Sequence, residues 1–486
     1  MFVPTDWVVL VLSSVGLGAV VAGAEWARRV GCRAASTRRG VHATVCLFVA
    51  VTPWLFSGPA AVSLLAGAFV LVNGIAWALG WWPGVHEARP DSWGTVGVPL
   101  AVVLLAPATW GVAIDRVVVF QAAFLVLGVA DPLAAAVGER YGHRRWTGTA
   151  TLAGSAACVL GASGLVTGVL VLEGWYLVNA LGAAGAVGAI AAGAEAVGQK
   201  GSDNLLLSSA VVLTLLPLFA HGGTAGDLWM GVLAGAILSG GAVWARVLTP
   251  RAATTAGLFA ISLVALGGLV WATPGLLFFV GASALSFLPG DSAGTGALPR
   301  RTAAQVWANG GVAWVLLAGW IVVPSGMSAL RSLCYAGFVG ALAAAAADTW
   351  ATEVGERYAG PPYSLRTWDR VAPGASGAVS FLGTLAGVVG AATVTVGAWG
   401  LDALPGPHAL IVLGAGTVGM LADGVAGATM EGQYRDGATG RLMDGPTSDA
   451  QLVRGWRVID NNRVNLLGTC VGAVTAGVGI AIYAGA

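Results

Sequence analysis

The chain has 486 residues, of which 57% are apolar and only 10% are charged, whereas charged residues make up about 25% of ordinary soluble domains. This composition excludes a water-soluble globule. The 24 basic and 23 acidic residues give a formal net charge of +1, so no global basic field is available to attract nucleic acid. The 74 glycines lie inside long Ala/Val/Leu runs, where small residues let helices approach closely in a bilayer.

The apolar runs predict an all-α, polytopic membrane protein. At roughly 20 residues per crossing they give about sixteen transmembrane helices. The predicted spans are 7–25, 41–57, 60–82, 96–113, 117–138, 149–172, 175–197, 204–220, 226–245, 252–272, 274–290, 306–323, 329–350, 375–400, 407–430 and 464–485. No basic segment precedes the first of them, so we interpret it as a retained span and not as a signal peptide.

Arginine is concentrated in alternate loops, and the loops between them contain almost none. By the positive-inside rule the arginine-bearing loops are cytoplasmic, which places both ends of the chain outside. The longest hydrophilic stretch, roughly 431–463, lies on the cytoplasmic side in this topology. We therefore expect a multi-pass protein of the cytoplasmic membrane whose active face is cytoplasmic.

A repeated motif divides the chain. Residues 130–141 read ADPLAAAVGERY and residues 347–358 read ADTWATEVGERY. Each copy closes a predicted span, and a glycine-rich segment, starting at Ala153 or Ala375, follows it and is expected to open the next span. This pattern predicts an internal repeat of two parallel eight-span halves, residues 1–225 and 226–486.

Carboxylates near membrane depth are costly, so each of them is a candidate functional residue. The acids at the cytoplasmic ends of apolar runs are Asp131, Glu195, Asp348 and Asp423. Their alternative role is that of an interfacial acid paired with a nearby arginine. Because Asp131 and Asp348 occupy the same place in the repeat, this alternative is weaker for them.

The C-terminal half is the denser of the two in chemistry-bearing residues. Asp348 and Glu353 could hold Mg²⁺ through oxygen ligands while nucleotide phosphates complete its shell. Arginines and a glycine-rich turn at a helix N-terminus are suited to phosphate oxygens. These residues are Arg357, Arg366, Arg370 and the turn Gly374-Ala375-Ser376-Gly377. Together they predict a site for metal-assisted phosphoryl transfer.

Three further observations limit the possibilities. Asp460-Asn461-Asn462, with Asn465, supplies either oxygen and amide ligands or a turn that caps a helix. No GxxxxGK[ST] sequence is present and Lys200 is the only lysine, which excludes a P-loop kinase. The five cysteines form no CxxC pair, so neither a zinc site nor a disulfide framework is supported.

The C-terminal half, about 230–486, resembles the DUF92/TMEM19 family, which includes phytyl-phosphate kinases. The matching segments are RRTAAQVWANGG from Arg300, AAADTWATEVG from Ala345, VAPGASGAVSFLGTLAG from Val371, Asp423-Gly424 and DNNRVNLL from Asp460. Gly424 and Ala375 stand where that family usually has Ser and Thr. The resemblance adds Asn309, Asp460, Asn461 and Asn465 to the expected substrate- and nucleotide-binding residues.

The N-terminal half, to about 220, is similar to the phytol kinase and dolichol kinase group of CTP-dependent lipid kinases. The similarity lies in RRGVH from Arg38, DSWGTVGVPL from Asp91, ADPLAAAVGERYG from Ala130, AGSAA from Ala153 and GAEAVGQKGSDNLL from Gly193. It implies binding roles for Arg39, His42, Glu195, Asp203 and Asn204, and a catalytic role for Asp131. Ala150 and Ala153 replace a lysine and a glutamate of the family, and Ala135 replaces an acid.

The two resemblances together imply an integral membrane isoprenoid kinase. The C-terminal half would phosphorylate a prenyl phosphate, and the N-terminal half a prenyl alcohol, with an NTP, expected to be CTP, as donor. Catalysis would fall to Asp348, Glu353, Asp423 and Asp131, and Mg²⁺ would be held by Asp348, Glu353, Asp423 and Asp460. Arg357, Arg366 and Arg370 would orient the acceptor phosphate, and Gly374, Ser376 and Gly377 would cradle the donor.

Two other functions fit the same residues. A two-repeat bundle with acids near membrane depth also suits a transporter or flippase for a polyprenyl phosphate. Alternatively, the N-terminal half is a non-catalytic scaffold for a C-terminal kinase. In every case the expected partners are the lipid bilayer, an isoprenoid alcohol or phosphate and a nucleotide, and not nucleic acid.

Overall fold

The computed structural model describes residues 3–81, 92–111, 116–220, 222–287, 300–371, 374–435, 442–443 and 450–485. Asp91, the first residue of one motif noted above, lies outside them. The chain forms two compact units, Met1–Ala236 and Ile237–Ala486. Both are built from helices, with short strands only in the connecting segments.

The helices of the first unit follow one another through short connections. They are α1 Pro4–Arg29, α2 Ala34–Leu55, α3 Pro59–Ala78, α4 Gly94–Thr109, α5 Val117–Tyr141, α6 Leu152–Leu172, α7 Leu177–Val197, α8 Ser202–Ala220 and α9 Ala225–Trp244, which runs past the unit boundary. Strands β1 Arg145–Thr147 and β2 Ala150–Thr151 pair antiparallel between α5 and α6.

The second unit is likewise built from successive helices with short strands between some of them. Its helices are α10 Pro250–Leu285, α11 Ala303–Val322, α12 Ser328–Tyr358, α13 Phe381–Trp399, α14 Gly406–Thr429 and α15 Asn461–Gly485. Strands β3 Tyr363–Ser364 and β4 Ala378–Val379 pair antiparallel between α12 and α13. Between α14 and α15, strands β5 Gln433–Arg435, β6 Leu442–Met443 and β7 Gln451–Arg454 form a sheet in the order β6-β5-β7.

The protein is an all-α integral membrane protein, as the composition predicts. In the described part of the chain, 13 helices are long and apolar enough to cross a membrane, and Gly94–Thr109 is a shorter apolar helix. Each predicted span coincides with a helix. The spans predicted at 252–272 and 274–290 correspond to α10, which is broken at Gly268, where φ is 65° and ψ is −163°.

Three element boundaries differ from the prediction. Helix α2 begins at Ala34, so the arginines of RRGVH lie within a helix and not before it. Helix α12 continues to Tyr358, so the whole VGERY sequence is helical. The predicted span at 375–400 begins instead at Phe381, because Ser380 is the N-cap and its hydroxyl accepts a hydrogen bond from the Gly383 N–H.

Helix α12 is the centre of the second unit, and glycines let its neighbours approach it. A Cβ on Gly390 of α13 would lie 2.8 Å from the Ala346 carbonyl oxygen, and one on Gly472 of α15 would lie 2.7 Å from the Gly340 oxygen. Close backbone approach of this kind is the role of small residues in membrane bundles. As a result α12 is buried continuously from Tyr335 to Ala347, and Asp348 follows this buried stretch.

The two VGERY segments lie in the same local structure. Each ends a helix, a two-stranded antiparallel pair follows, and the next helix begins at a hydroxyl N-cap, Thr151 or Ser380. A Cβ on Gly138 would meet Thr151 and Gly154, and one on Gly355 would meet Ser380 and Gly383. Thr151-Leu-Ala-Gly therefore corresponds to Ser380-Phe-Leu-Gly, whereas the glycine-rich segments at Ala153 and Ala375 do not correspond.

Candidate functional site

A polar cavity of about 420 Å³ opens in the second unit. Its walls come from the ends of α11, α12, α14 and α15, the N-terminus of α13 and the segment around β4. Among the residues singled out from the sequence, those that line it are Asp348, Glu353, Asp423, Gly374, Ser376, Gly377, Asn309, Asn461 and Asn465. Residues up to 156 positions apart in sequence thus contribute to a single cavity.

Two carboxyl groups meet inside this cavity. Asp348 and Asp423, on α12 and α14, lie within hydrogen-bonding distance of each other. Asp423 is 9% exposed, and its Oδ2 is buried with no hydrogen-bond partner among the described residues. Two neighbouring carboxylates repel each other when both are ionised, and a proton or a cation between them removes this repulsion. The pair is therefore a place for one shared proton or one cation.

The donor set of this pair fits Mg²⁺, which prefers oxygen ligands and is commonly bound by one or two carboxylates together with substrate phosphates. The four-carboxylate set predicted from the sequence is not assembled, however. Among the described residues, no group of three or more His, Cys, Asp or Glu side chains is arranged to hold a metal ion. Glu353 and Asp460 are engaged elsewhere, which reduces the candidate ligands to Asp348 and Asp423.

Glu353 is held between two arginines. Its Oε1 lies 3.4 Å from Nη2 of Arg301, and its Oε2 accepts a hydrogen bond from Nη1 of Arg357, one helical turn along α12. Arg301 also donates to the Ala282 carbonyl at 3.1 Å and to Ser286 Oγ at 3.3 Å. Arg301 lines the cavity, whereas Arg357 is not among its lining residues and is linked to it through the shared carboxylate of Glu353.

The glycine-rich turn lies against α14. Gly377 has φ +73°, and a Cβ there would collide with the Ala428 backbone. Ser376 donates a hydrogen bond to Glu431, which is 2% exposed and also lines the cavity. The turn leads through β4 to the N-terminus of α13, where Ser380, Gly383 and Thr384 line the cavity. It is this helix N-terminus, and not the glycine turn, that supplies the helix dipole for an anion.

Amide side chains close another wall. Asn465 Nδ2 donates to Asn309 Oδ1 at 3.3 Å, and Asn465 Oδ1 is buried without a partner among the described residues. Asp460 instead caps α15, because its Oδ1 accepts the Arg463 N–H at 3.0 Å. Asp460 is exposed and does not line the cavity. Of the two roles predicted for it, ligand or helix cap, the structure shows the helix cap.

Two predicted phosphate ligands lie outside the cavity. Arg366 and Arg370 are exposed in the segment that joins β3 to β4. The Arg370 guanidinium lies 5.8 Å from the centre of the Tyr363 ring, and a hydrogen bond with Tyr363 raises its pKa above the usual value. Neither arginine can act on a ligand in the cavity while these positions are held.

The candidates of the first unit form a looser set. Arg39 pairs with Glu139, and His42 Nε2 lies 3.3 Å from Asp131 Oδ2. Asn204 Nδ2 donates to the Gly94 carbonyl at 2.9 Å. Glu195, like Asp131, lies close to the buried thiol of Cys158. Asp203 Oδ1, in the first turn of α8, is buried with no partner among the described residues.

Sequence reasoning left out several polar residues of the C-terminal cavity, among them Arg301 and Glu431. Arg301 belongs to the RRTAAQ segment, but its distance in sequence from Glu353 hides their contact. Glu431 lies in a stretch that reads as polar loop, yet it is nearly fully buried. A buried acid directly after an apolar span is a signal that could have identified Glu431.

The fold and the cavity define a multi-pass membrane protein with a polar site to which Arg301 contributes. The family of integral membrane proteins DUF92 matches residues 233–473. A phytol kinase of Synechocystis is 33% identical over 221 residues, which cover 42% of this chain and 90% of that protein. The chain belongs to the family of that phytol kinase.

A second relative is an uncharacterized membrane protein of Methanocaldococcus jannaschii, 31% identical over 149 residues, which are 30% of this chain and 50% of the relative. The chain thus matches half the length of that protein. No solved structure matches the chain. The assignment of residues 1–225 to the phytol and dolichol kinase group stays a prediction.

Proposed function

We propose that this protein is a membrane isoprenoid kinase whose C-terminal half phosphorylates a prenyl phosphate. The donor is an NTP, with CTP as the first candidate, and Mg²⁺ is the expected cofactor. The relation to a phytol kinase supports the class of reaction. The single observation that carries the proposal is the Asp348–Asp423 carboxyl pair inside a polar cavity lined by Arg301.

Different residues of the cavity would have different roles in phosphoryl transfer. When bound, Mg²⁺ neutralises nucleotide phosphate charge, and Asp348 and Asp423 are the residues that would hold it. The N-terminus of α13 and its Ser380 cap face the cavity and suit the donor phosphates. The planar guanidinium group of Arg301, which shares the Glu353 carboxylate with Arg357, suits the oxygens of the acceptor phosphate. Positioning and charge neutralisation account for most of the catalysis in such reactions.

The N-terminal half is proposed to phosphorylate the prenyl alcohol, so that one chain forms the monophosphate and then the diphosphate. In the membrane topology proposed, both sites face the cytoplasm, where nucleotide is available. The chain of the isoprenoid would lie between helices and enter laterally from the bilayer.

The test is product analysis on the intact protein in liposomes, with phytol or geranylgeraniol and the matching monophosphates offered separately with Mg²⁺ and CTP, ATP, GTP or UTP. We expect diphosphate from monophosphate. The variant Asp348→Asn should lower this turnover by about 10²–10³-fold, the usual loss on removing electrostatic stabilisation. Asp402→Asn, an exposed acid in the loop before α14, is the matched control.

A second measurement reports on the cation without turnover. Mg²⁺ should raise the melting temperature of the wild type and of Asp402→Asn but not that of Asp348→Asn, because a cation that binds only the folded state stabilises it. Absence of phosphorylation across all acceptors and nucleotides would rule the kinase out. Lipid phosphate flux without nucleotide would favour the flippase instead.

A further inference from the structure

His42 lies in the first unit and does not belong to the polar cavity of the second unit. It lies on α2, which packs against α5. Its Nε2 lies 3.1 Å from the Leu127 carbonyl oxygen, 3.3 Å from Asp131 Oδ2 and 3.8 Å from Cys46 Sγ. Every contact of the ring with the described residues is thus made by one of its two nitrogens.

These contacts select a tautomer. A carbonyl oxygen and a carboxylate are acceptors, so Nε2 must carry the hydrogen that they share. In the neutral ring, the proton on Nε2 leaves Nδ1 with a free lone pair. Nδ1 has no hydrogen-bond partner among the described residues. A carboxylate behind one nitrogen and an open lone pair on the other is the arrangement of an oriented general base.

The same histidine lines a second cavity, of about 120 Å³, formed by α1, α2, α3 and α4. Most of its wall is aliphatic or aromatic, including Val45, Val62, Leu65 and Phe69. Its few polar groups are contributed by residues such as His42, Arg38 and Asn204, together with Thr95, whose Oγ1 is buried with no partner among the described residues. Apolar walls with a few polar groups are typical of a site for an amphiphilic small molecule.

We propose that this cavity binds an uncharged prenyl alcohol with its hydroxyl at His42, and that His42 Nδ1 takes the hydroxyl proton. The inference rests on the proposed function and assigns the alcohol step to named residues. The alcohol oxygen forms a bond to the terminal phosphorus of a nucleoside triphosphate, the bond to the bridging oxygen breaks, and the nucleoside diphosphate leaves. The proton goes to Nδ1, while Asp131 stabilises the charge through Nε2–H.

The chemistry of the two acceptors explains why a base belongs to this unit. An alcohol keeps its proton at neutral pH, so a positioned base accelerates its attack. A monophosphate is already ionised. The described residues that line the cavity of the second unit supply carboxyl, arginine and amide groups but no histidine. The first unit instead has a histidine–carboxylate pair beside a mostly apolar cavity.

The decisive variant is His42→Gln in the full-length protein. Glutamine can still donate a hydrogen bond to Leu127 and Asp131 but cannot accept a proton. We expect kcat with geranylgeraniol and nucleotide to fall by about 10²-fold or more with KM nearly unchanged, and conversion of geranylgeranyl phosphate to stay at the wild-type rate. His42→Ala should regain alcohol turnover on addition of imidazole. His408→Gln, beside the ring of Tyr483, is the control.

The cavity is tested by Val45→Trp, which fills it from a half-buried wall position. It should raise KM for geranylgeraniol at least tenfold while leaving a five-carbon prenol unaffected. Leu47→Trp, on a position of α2 that is 40% exposed and outside the cavity, should change neither value. Equal effects of the two variants would remove the cavity from the proposal.

The outcomes separate this inference from the proposed function. A wild type that phosphorylates neither alcohol nor phosphate contradicts the kinase itself. A wild type that phosphorylates only the phosphate leaves the C-terminal kinase standing and makes the first unit a scaffold. Full alcohol turnover by His42→Gln, or equal loss of both reactions, overturns the role of His42 alone.

Discussion

Glu353 shows how a carboxylate in a binding cavity can act through its neighbours. Its two oxygens contact Arg301 and Arg357, so two guanidinium groups offset the charge of this carboxylate. Both arginines carry a full positive charge, and fixed guanidinium groups bind phosphate through paired hydrogen bonds. Glu353 is therefore better described as a positioning residue than as the metal ligand that the sequence predicts.

The variant Glu353→Gln distinguishes these roles. Losing a charge-assisted hydrogen bond costs about 1.5–3 kcal/mol, so we expect KM for geranylgeranyl phosphate to rise about 10- to 100-fold. The Mg²⁺ concentration at half-maximal rate should stay unchanged. Glu173→Gln, an exposed acid at the end of α6, is the matched control. A shift in the Mg²⁺ requirement would make Glu353 a metal ligand after all.

The residues of the C-terminal cavity were predicted in part, and the reason lies in what spacing determines. Glu353 and Arg357 lie one turn apart on a single helix, so their spacing places them near one another. Asp423 and Asn309 are on other helices, and only the resemblance to a family connected them to the site. The positions of Arg366 and Arg370 depend on a loop whose direction no sequence pattern specifies, and both turned away from the cavity.

The glycine turn before α13 is a structural element in its own right. Gly374 and Gly377 both have positive φ, the left-handed conformation that glycine adopts readily. Such residues interrupt a helix and do not begin one, and the helix starts only at the Ser380 cap. The sequence contained both signals, glycine and then a hydroxyl N-cap, but continuous apolar character concealed the boundary.

Gly377→Ala tests the role of this turn. The added Cβ would collide with Ala428. The alanine would also have to adopt a positive φ, a conformation that costs about 1–3 kcal/mol. We expect a lower melting temperature in detergent and a higher KM for nucleotide, because Ser376 would lose its place beside Glu431. Gly360→Ala, where no atom lies within 4 Å of the added methyl, should leave both values unchanged. An effect of the same size at Gly360 would assign the loss to general instability.

At the scale of the whole molecule, the prediction of the apolar helices along the chain was the most successful, because bilayer thickness sets the length of an apolar run that crosses the membrane. The sixteen predicted spans all overlap helices of the described residues, but 13 of these helices are long and apolar enough to cross a membrane, and two predicted spans share α10. The span predicted from residue 375 begins at Phe381, and the break within α10 was also displaced. The sequence could not place that break, since Gly267 and Gly268 lie within an apolar run and Pro274 is the more obvious breaker. Pro274 instead lies inside the second part of the helix.

The side of the membrane on which the sites lie follows from the arginine distribution alone, and the chain contains a natural reporter of it. Cys32 is exposed between α1 and α2, in a connection that contains Arg33 and is flanked by arginines at the adjoining ends of both helices. Cys46 and Cys158 are buried, and Cys334 and Cys470 are half-buried. The proposed topology makes this loop cytoplasmic. An impermeant maleimide should therefore label Cys32 in inside-out vesicles but not in right-side-out vesicles.

Two controls make the labelling decisive. Cys32→Ser should abolish the rapid labelling in both preparations. In that background, Asp402→Cys, exposed in the loop between α13 and α14, should label only in right-side-out vesicles, since an odd number of spans separates the two loops. Arg301 of the cavity and the loop of Cys32 belong to the same predicted face. Labelling of Cys32 from outside would therefore move the phosphate site away from cytoplasmic nucleotide and contradict the kinase topology together with the positive-inside assignment.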